Sequence, residues 1–297
     1  MNVLAITGDR TFKEGNPRFD LQASAGEHLE ALYWGPGALW AIPRGVSYDV
    51  VSTQDPFLRG MVGLFWARRF KAKFNVQVHA DIAAQSWLKK MIARFVLRRA
   101  TSVRVVSEKV KAQVESLGVS TPIFVLPIFV DSERFERVRR TPDSHPLVLW
   151  VGRFENEKDP LLALRVFKEV RTRVPDATLV MLGNGSLASV LRLEAQGLPV
   201  EFLGWQDTAP YLARAHVVLS TSRAESWGAS IVEALAAGVP VVAPDVGVAK
   251  EAGAIVVSRE RLSDAVVEVL TTHPSATLRF PLLSRQEWIN VWKQSLG

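Results

Sequence analysis

Short apolar runs alternate with amphipathic segments along the whole chain. The runs are rich in Val, Ile and Leu and are bounded by Gly, Pro, Asp or Ser, a pattern typical of strands buried on both faces of a sheet. The segments between them carry apolar residues at helical spacing. This alternation predicts parallel sheets that are covered by helices. The predicted strands lie near residues 2–7, 29–34, 48–53, 74–79, 101–106, 122–126, 146–152, 177–182, 198–203, 215–220, 239–243 and 254–257.

These strands fall into two groups, so the pattern predicts two parallel-sheet domains. Between the groups, the stretch 131–146 is polar, contains prolines and is the best candidate for a linker. We therefore place a first domain at residues 1–140 and a second at 141–280, followed by a last helix within 281–297. A cleft between two such domains is a common place for a ligand site.

The composition agrees with a soluble enzyme of two domains, since 48% of the 297 residues are hydrophobic and 22% are charged. The chain contains no cysteine, which excludes disulfides, thiolate metal sites and cysteine nucleophiles. No uncharged run reaches the length of a membrane-spanning helix. The first residues, MNVLAITGDR, lack a basic segment before the apolar one and are expected to form a strand rather than a signal peptide.

Two carboxylates, Glu225 and Glu233, stand eight positions apart across a predicted strand-to-helix turn. In parallel sheets such turns lie at the carboxyl ends of the strands, where ligands bind. The amides of residues 228–230 would begin the helix and stabilise a phosphate there. The carboxylates could then accept hydrogen bonds from hydroxyls on either side of a diphosphate, one from a sugar and one from a ribose. Alternatively, Glu225 is a charge at the helix N-terminus and Glu233 a solvated helix residue.

Two cations, Arg153 and Lys158, follow the end of the predicted strand at 146–152. An Arg and a Lys on such a loop can bind both phosphates of a nucleoside diphosphate, because Arg offers a planar fork and Lys a point charge. The alternative is that Glu155 and Glu157 neutralise them in surface ion pairs. The two loops together favour a nucleotide-sugar site.

The order of these motifs resembles the retaining GT-B glycosyltransferases of family four. That family carries a G-R-x4-K loop followed by an E-x7-E motif, which stand here as GRFENEK at 152–158 and ESWGASIVE at 225–233. Between them, TLVMLGNGS from Thr178 is similar to the family's next strand and its G-x-G turn. The resemblance implies a GT-B fold, in which two Rossmann-like α/β domains face a cleft. It also implies that the last helix, RQEWINVWKQSL from Arg285, crosses back to the N-terminal domain.

The resemblance further implies which side chains act. Arg153 and Lys158 would stabilise the leaving diphosphate, Glu225 would position the transferred sugar, and Glu233 would hold the ribose. Donor binding would also involve Gly152, Gly183, Asn184, Gly185, Trp227, Gly228, Ala229 and Ser230. The chain has no D-x-D motif that would bind a divalent ion to the diphosphate. We therefore expect a nucleoside-diphosphate sugar as donor substrate, with no cofactor and no metal.

His79 completes the predicted catalytic set with Glu225, Lys158 and Arg153. It ends the predicted strand FNVQVH. Family members carry a histidine at the equivalent place, where it contacts the donor sugar or helps to stabilise the reacting centre. Without the resemblance, a single histidine at a strand end is more often structural than catalytic.

Positive charge is concentrated in the first part of the chain. Residues 1–140 contain 21 Lys and Arg against 13 Asp and Glu, whereas residues 141–297 contain 15 against 17. Much of the excess lies in 67–99, where the segment 86–100 reads as a basic amphipathic helix able to lie on an anionic membrane. The alternative is a helix packed on the core with a solvated cationic face. A nucleic-acid partner is not expected, because no nucleic-acid-binding motif accompanies the charge.

The predicted function is retaining transfer of a hexose to a cell-envelope polysaccharide or a lipid-linked acceptor. The enzyme would be cytoplasmic, with peripheral contact at the inner face of the cell membrane. Two alternatives remain, a GT-B-fold sugar-nucleotide epimerase and a catalytically silent nucleotide-sugar-binding protein. The loop from Gly8 lacks the glycine-rich turn that the family has after its first strand, so the acceptor side departs most from the family pattern.

Overall fold

The computed structural model describes residues 1–25, 28–37, 42–44 and 47–297. Their contacts divide the chain into two units. The first unit comprises Met1–Phe129 together with Leu283–Gly297, and the second comprises Val130–Leu282. Each unit is built around one sheet of six parallel strands.

The sheet of the first unit is formed by β1 (Asn2–Thr7), β2 (His28–Tyr33), β3 (Val50–Thr53), β4 (Lys73–Val78), β5 (Ser102–Val105) and β6 (Ile123–Val125). The strands are ordered β2-β1-β3-β4-β5-β6, and all neighbouring pairs are parallel. The inner strands β3 and β5 are buried along their whole length, as expected for strands covered on both faces. The helices between the strands are α1 (Pro17–Ala23), α2 (Leu58–Phe70), α3 (Trp87–Leu97) and α4 (Glu108–Ser116).

The second unit repeats this plan with the strands β7 (Leu147–Val151), β8 (Thr178–Leu182), β9 (Val200–Gly204), β10 (Val217–Leu219), β11 (Val241–Ala243) and β12 (Ile255–Val256). Their order is β12-β11-β10-β7-β8-β9, again with parallel neighbours. Its helices are α5 (Ser132–Glu136), α6 (Pro160–Arg173), α7 (Ala188–Glu194), α8 (Ala209–Arg214), α9 (Ala229–Ala236), α10 (Ala249–Ala252) and α11 (Leu262–Thr272), with a short 3-10 turn at Arg259–Arg261.

Because the strands are parallel, the predicted site residues of the second unit lie together at the carboxyl ends of its strands. The loops after β7, β8 and β10 all leave from carboxyl ends of neighbouring strands, where open α/β sheets bind their ligands. The fold thus brings together segments that are widely separated in the sequence.

The last helix, α12 (Arg285–Ser295), belongs to the first unit. It begins with a capping box in which Ser284 and Glu287 bond each other's backbone N–H. Trp288 and Trp292, four residues apart, stack on one another and are buried against residues of β1, β3 and α1. Trp288 Nε1 also donates to Pro127 O at 2.8 Å. The predicted return of the chain to the N-terminal domain is therefore confirmed.

Each of the twelve predicted strands is present, with ends that differ by at most two residues from the prediction. The predicted two-domain parallel α/β architecture is likewise confirmed. Among the described residues, no helix is both long and apolar enough to cross a membrane.

The stretch 131–146, predicted as a linker, is instead part of the second unit, because the units divide at residues 129 and 130 and not at 140 and 141. It contains α5, whose N-cap Asp131 accepts a hydrogen bond from Arg134 N at 3.2 Å. Farther along, Asp143 forms a bidentate pair with Arg214 at 2.9 and 2.8 Å. Polar residues in this stretch thus bond to the second unit instead of facing solvent as a free connection.

Candidate functional site

The loop after β7, residues 152–159, is held in place by Phe154. This side chain is buried between Trp150 and Phe202, and its backbone N–H donates to Asn184 O at 2.9 Å. Arg153 remains exposed beside it and pairs with Glu157 at 2.6 Å. Of the predicted surface ion pairs, the one of Arg153 with Glu157 is therefore present.

Lys158 is turned inward and does not join that surface pair. Its Nζ forms an ion pair with Glu225 Oε1, and Ser222 Oγ donates to the same oxygen at 2.8 Å. The side chains of Lys158 and Glu225 are only 19% and 12% exposed, so solvent screens their interaction far less than that of Arg153. The fold thereby brings together two of the predicted catalytic residues from loops 67 positions apart.

A network of hydrogen bonds and ion pairs around Thr221 and Asp159 supports the pair of Lys158 and Glu225. Trp150 Nε1 donates to Thr221 Oγ1 at 3.0 Å, and this hydroxyl lies 2.9 Å from the carbonyl oxygens of Lys158 and Asp159. Asp159 caps α6 and pairs with Arg223 and Arg259. These contacts tie the loop that carries Lys158 to the loop that carries Glu225, so the two side chains are held in register.

The G-x-G turn after β8 lies directly against the β7 loop. Gly183 has a φ of 140°, and a Cβ at this position would lie 1.8 Å from Gly152 O. A Cβ on Gly185 would lie 2.6 Å from Phe154 O. Both glycines are thus required for the close approach of two backbones. Asn184, between them, is exposed.

Helix α9 begins at Ala229, and its N-cap residue Gly228 offers no side chain to cap it. Gly228 has a φ of 96°, which favours glycine. The preceding Trp227 is buried, and within the described residues its Nε1 has no hydrogen-bond partner. The backbone N–H groups of Ala229 and Ser230 point out of the N-terminal end of α9, where the Glu225 loop leads into the helix. They can stabilise an anion there.

Glu233 lies one turn into α9 and is not the freely solvated residue of the alternative interpretation. Its Oε2 accepts a hydrogen bond from Thr208 Oγ1 at 3.1 Å. Burial raises the pKa of Glu233 to about 7, although the Thr208 hydrogen bond and the charge of Arg134 act in the opposite direction. With a pKa of about 7, this carboxyl group can accept hydrogen bonds from hydroxyls when it is ionised and can donate one when it is protonated.

His79 lies in the first unit, immediately after β4 as predicted. Its Nε2 is 3.1 Å from Gln77 Oε1, which can only accept, so Nε2 carries the hydrogen. Burial lowers the pKa of His79 to about 3, with further lowering from Arg104 and then Arg18. The imidazole is therefore neutral at physiological pH, with Nδ1 as its acceptor.

Several contacts of the site were not predicted from the sequence. The contact of Ser222 with Glu225 is local to one loop, whereas Thr208 on Glu233 and Arg259 on Asp159 join segments whose approach depends on the fold. A signal was present for one further residue, Arg104, because it stands between valines in the apolar strand SVRVV. A cation inside a buried strand indicates either a special partner or a ligand.

Both units match known protein families. Residues 145–272 match the family described as glycosyl transferases group 1. Residues 9–128 match the glycosyl transferase 4-like domain. Together the two matches extend over most of the chain.

Curated relatives include the alpha-monoglucosyldiacylglycerol synthase of Streptococcus pneumoniae (strain ATCC BAA-255 / R6). It is 24% identical over 279 residues, which are 82% of this chain and 63% of that protein. The lipopolysaccharide core biosynthesis glycosyltransferase LpsE of Rhizobium meliloti (strain 1021) is 34% identical over 139 residues, 44% of this chain and 40% of LpsE. The chain therefore spans less than two thirds of the length of these relatives.

Solved structures with the same fold cover nearly the whole chain. Anabaena HepE, in complex with UDP and glucose, aligns with a TM-score of 0.73 at 15% identity, over 100% of this chain and 95% of HepE. The sucrose-phosphate synthase of Thermosynechococcus elongatus aligns with a TM-score of 0.71 at 18% identity, over 99% and 94%. At these identities the likeness establishes the fold.

Proposed function

Because this chain belongs to the group 1 glycosyltransferases and has their GT-B fold, we propose that it transfers a hexose from a nucleoside-diphosphate sugar to a glycan or lipid-linked acceptor of the cell envelope. The observation that carries this proposal is the shielded ion pair of Lys158 and Glu225 at the carboxyl edge of the second sheet, next to the start of α9. The cation can bind the diphosphate of a sugar nucleotide, and the carboxylate can accept hydrogen bonds from its sugar.

In the transfer, the bond between the anomeric carbon and a diphosphate oxygen breaks, and its electron pair leaves with the diphosphate. The acceptor hydroxyl forms the new bond to carbon and gives its proton to the leaving diphosphate. Negative charge grows on the leaving group, where Lys158, Arg153 and the first amides of α9 would stabilise it. In the donor-free protein Glu225 neutralises Lys158. A bound diphosphate would pair with Lys158 in place of Glu225. Glu225 could then accept hydrogen bonds from the sugar hydroxyls.

The remaining donor contacts would surround the nucleoside. Glu233 would accept hydrogen bonds from the ribose hydroxyls, since its carboxyl group already bonds to the Thr208 hydroxyl. The turn of Gly183, Asn184 and Gly185 would let the diphosphate approach the backbone closely, because no side chain other than that of Asn184 projects from it. Trp227 would shape the start of α9.

We infer retention of configuration and independence of metal ions from the family resemblance and from the local charges. In a retaining transfer the acceptor attacks from the face that the diphosphate leaves. Lys158 and Arg153 supply positive charge where other glycosyltransferases use a divalent ion. Neutral His79 would contact the donor sugar through its ring nitrogen rather than donate a proton as an imidazolium.

Two of the relatives are named for envelope components, one as a glucosyldiacylglycerol synthase and the other as a lipopolysaccharide core glycosyltransferase. Both names point to envelope acceptors. We propose the same class here, used at the inner face of the cell membrane.

A surface of α2 and α3 supports the membrane proposal. The two helices pack against each other. Trp87 is 75% exposed, and apolar side chains near it are exposed as well, which argues against the alternative of a stripe packed on the core. Residues 58–100 contain a single acidic residue, Asp81, beside many cations. We define the α2–α3 surface by its exposed apolar residues Leu58, Met61, Phe65, Trp87, Leu88, Met91 and Phe95 and its exposed cations Arg68, Arg69, Lys71, Lys89, Arg94, Arg98 and Arg99.

Vesicle binding tests the α2–α3 surface. The protein should co-sediment with vesicles that contain phosphatidylglycerol and much less with pure phosphatidylcholine. Trp87→Ser should weaken this binding at least about tenfold, since burying a large apolar side chain contributes roughly 1.5–3 kcal/mol. Trp205→Ser is the control, because Trp205 is 61% exposed but lies in the second unit. Equal binding by the Trp87→Ser variant and the wild type would contradict the proposal.

Donor binding and turnover test the enzymatic proposal. The purified protein is heated with UDP, GDP, ADP or dTDP and with their sugar conjugates, in EDTA, and one base should raise the melting temperature. Glu233→Ala should weaken this shift, whereas Glu194→Ala, which removes an exposed carboxylate of α7, should not. Sugar should then be released from the donor only when membrane lipid extract is present, and its linkage in the product should retain the donor configuration.

Other outcomes of this experiment identify the alternatives. Conversion of the donor to a second sugar nucleotide without any acceptor would indicate an epimerase. Binding without turnover under every condition would indicate a silent nucleotide-sugar-binding protein. No shift with any nucleotide would refute the site itself.

A further inference from the structure

A cavity of about 340 Å³ is lined by residues of the first unit, and His79, which the proposed function places at the donor sugar, is one of them. Part of its wall is apolar and includes Phe12, Leu21 and Trp288. The polar part includes Gln22 and Arg104. A cavity that is apolar on one side and polar on the other suits a ligand of mixed character.

Arg104 is a buried cation whose recorded hydrogen bonds go to neutral groups. It stands in the middle of β5, and its guanidinium donates to Leu126 O at 3.1 Å, Gln77 Oε1 at 2.8 Å and Pro127 O at 2.9 Å. In the part of the chain that the structure describes, no carboxylate pairs with it. Burial lowers the pKa of Arg104 to about 9, so it still carries its charge at neutral pH.

A buried, unpaired cation is costly, since buried charges are normally paired. The fold nevertheless holds Arg104 rigidly. Gln77, which accepts from Arg104, also donates to Ser52 Oγ at 3.1 Å, and Ser52 in turn donates to Asn75 at 2.8 Å. A positive charge that is fixed by such a network and left without an anion is preorganised to bind one.

Gln22 provides a second and independent indication of a ligand. It lies on α1, lines the same cavity and is 7% exposed. Its Oε1 is buried and has no donor within the described residues. A buried acceptor without a partner is unfavourable, and a hydroxyl of a ligand would offset this cost. At the cavity rim Arg18 adds a further cation, which pairs with Asp9.

We propose that this cavity binds the anionic group of the acceptor, a phosphate or carboxylate next to a hydroxyl, with Arg104 as its counter-ion and Gln22 as the acceptor for the hydroxyl. The apolar part of the ligand packs on Phe12, Leu21 and Trp288. The identification of the ligand as the acceptor rests on the proposed function, whereas the binding of an anion does not. The anion belongs to a lipid headgroup or to a soluble phosphorylated compound, which share this chemistry.

Calorimetric titration with glycerol 3-phosphate tests the proposal, with glycerol as the neutral control. The anion should bind and glycerol should not bind measurably. Arg104→Gln should weaken anion binding at least tenfold, since a hydrogen bond to a charged group contributes more than a neutral one. Lys158→Ala should leave it unchanged, which separates the cavity from the donor phosphate site. Equal binding of both probes, or full binding by Arg104→Gln, would overturn the proposal.

A second variant covers the case in which Arg104→Gln fails to fold. Gln22→Glu keeps Arg104 and places a carboxylate at the cavity wall, so it should weaken glycerol 3-phosphate binding at least tenfold and leave nucleotide binding intact. Unchanged anion binding in Gln22→Glu would also overturn the proposal. Titration with dihexanoyl phosphatidylglycerol distinguishes the sources of the anion, because a lipid-headgroup site should bind it more tightly than glycerol 3-phosphate.

The failure of this proposal can be told apart from failure of the proposed function. If nucleotides bind but glycerol 3-phosphate does not, the cavity proposal is wrong and the donor site stands. If the anion binds in an Arg104-dependent manner but no nucleotide binds, the cavity stands and the ligand is not a glycosyl acceptor.

Discussion

Replacing Lys158 by Ala should lower the rate of glycosyl transfer about 100-fold or more. The magnitude is that of removing one fixed donor from a site where negative charge develops. Lys158 is the shielded cation of the site, whereas Arg153 is exposed and pairs with Glu157. The lost rate should appear mainly in kcat, because the charge on the diphosphate is greatest in the transition state. Initial rates of sugar transfer at saturating donor measure it.

Lys168→Ala is the matched control for Lys158→Ala. Lys168 also lies in the second unit but pairs with Glu194 on the surface at 3.9 Å. Its removal should leave the transfer rate unchanged, since exposed pairs contribute little. Circular dichroism of Lys158→Ala should match the wild type, so that a lost rate is not a lost fold. A Lys158→Ala variant with at least half the wild-type rate would exclude the assigned role.

Replacing Gly183 by Ala should destabilise the second unit by about 3–4 kcal/mol, through overpacking and a strained backbone. The new Cβ would lie 1.8 Å from Gly152 O, which is backbone and cannot move aside without displacing the β7 loop. The hydrogen bond from Gly183 N to Gly204 O at 2.7 Å should be lost as well. Since the β7 loop carries Lys158, donor binding should weaken together with stability.

Gly197→Ala separates the two causes of this effect. Gly197 has a φ of 76°, yet nothing lies within 4 Å of its Cβ position. It should therefore lose only about 1 kcal/mol from the strained backbone. Urea unfolding measures the stability of both variants. The transition of the second unit is recognised as the one whose midpoint moves to a higher urea concentration when nucleotide is present. Equal destabilisation by the two substitutions would show that contact between Gly183 and Gly152 is not what limits this turn.

Much of the fold could be predicted because strands buried on both faces are recognisable locally. Runs such as LVLWV at β7 and KFNVQV at β4 are bounded by turn residues, so their positions do not depend on distant neighbours. The error at 131–146 has the opposite origin. Its polar composition is typical of a linker, but Asp143 and Arg214 bond across 71 positions, and composition does not register such partners.

The predicted site residues were recognised from motif order, and their roles remain predictions. Their surroundings were only partly predictable. The close approach of Gly183 to Gly152 follows from the G-x-G pattern and the parallel order of β7 and β8. By contrast, the exposure of Trp87 on α3 was one of two alternatives, because an amphipathic pattern does not say whether an apolar stripe meets a core or faces out.

The sequence by itself determined the two parallel sheets and the motifs of a nucleotide-sugar site, because hydrophobic periodicity and residue spacing act over short distances, whereas the return of the last helix was expected from the family resemblance. Only the tertiary structure decided that Lys158 pairs with Glu225, that Thr208 bonds to Glu233 and that Arg104 is buried without a carboxylate partner among the described residues. These pairings depend on which loops the strand order brings side by side. Burial, which raises the pKa of Glu233 and leaves Arg104 uncompensated, exists only once the sheets and helices have closed around them.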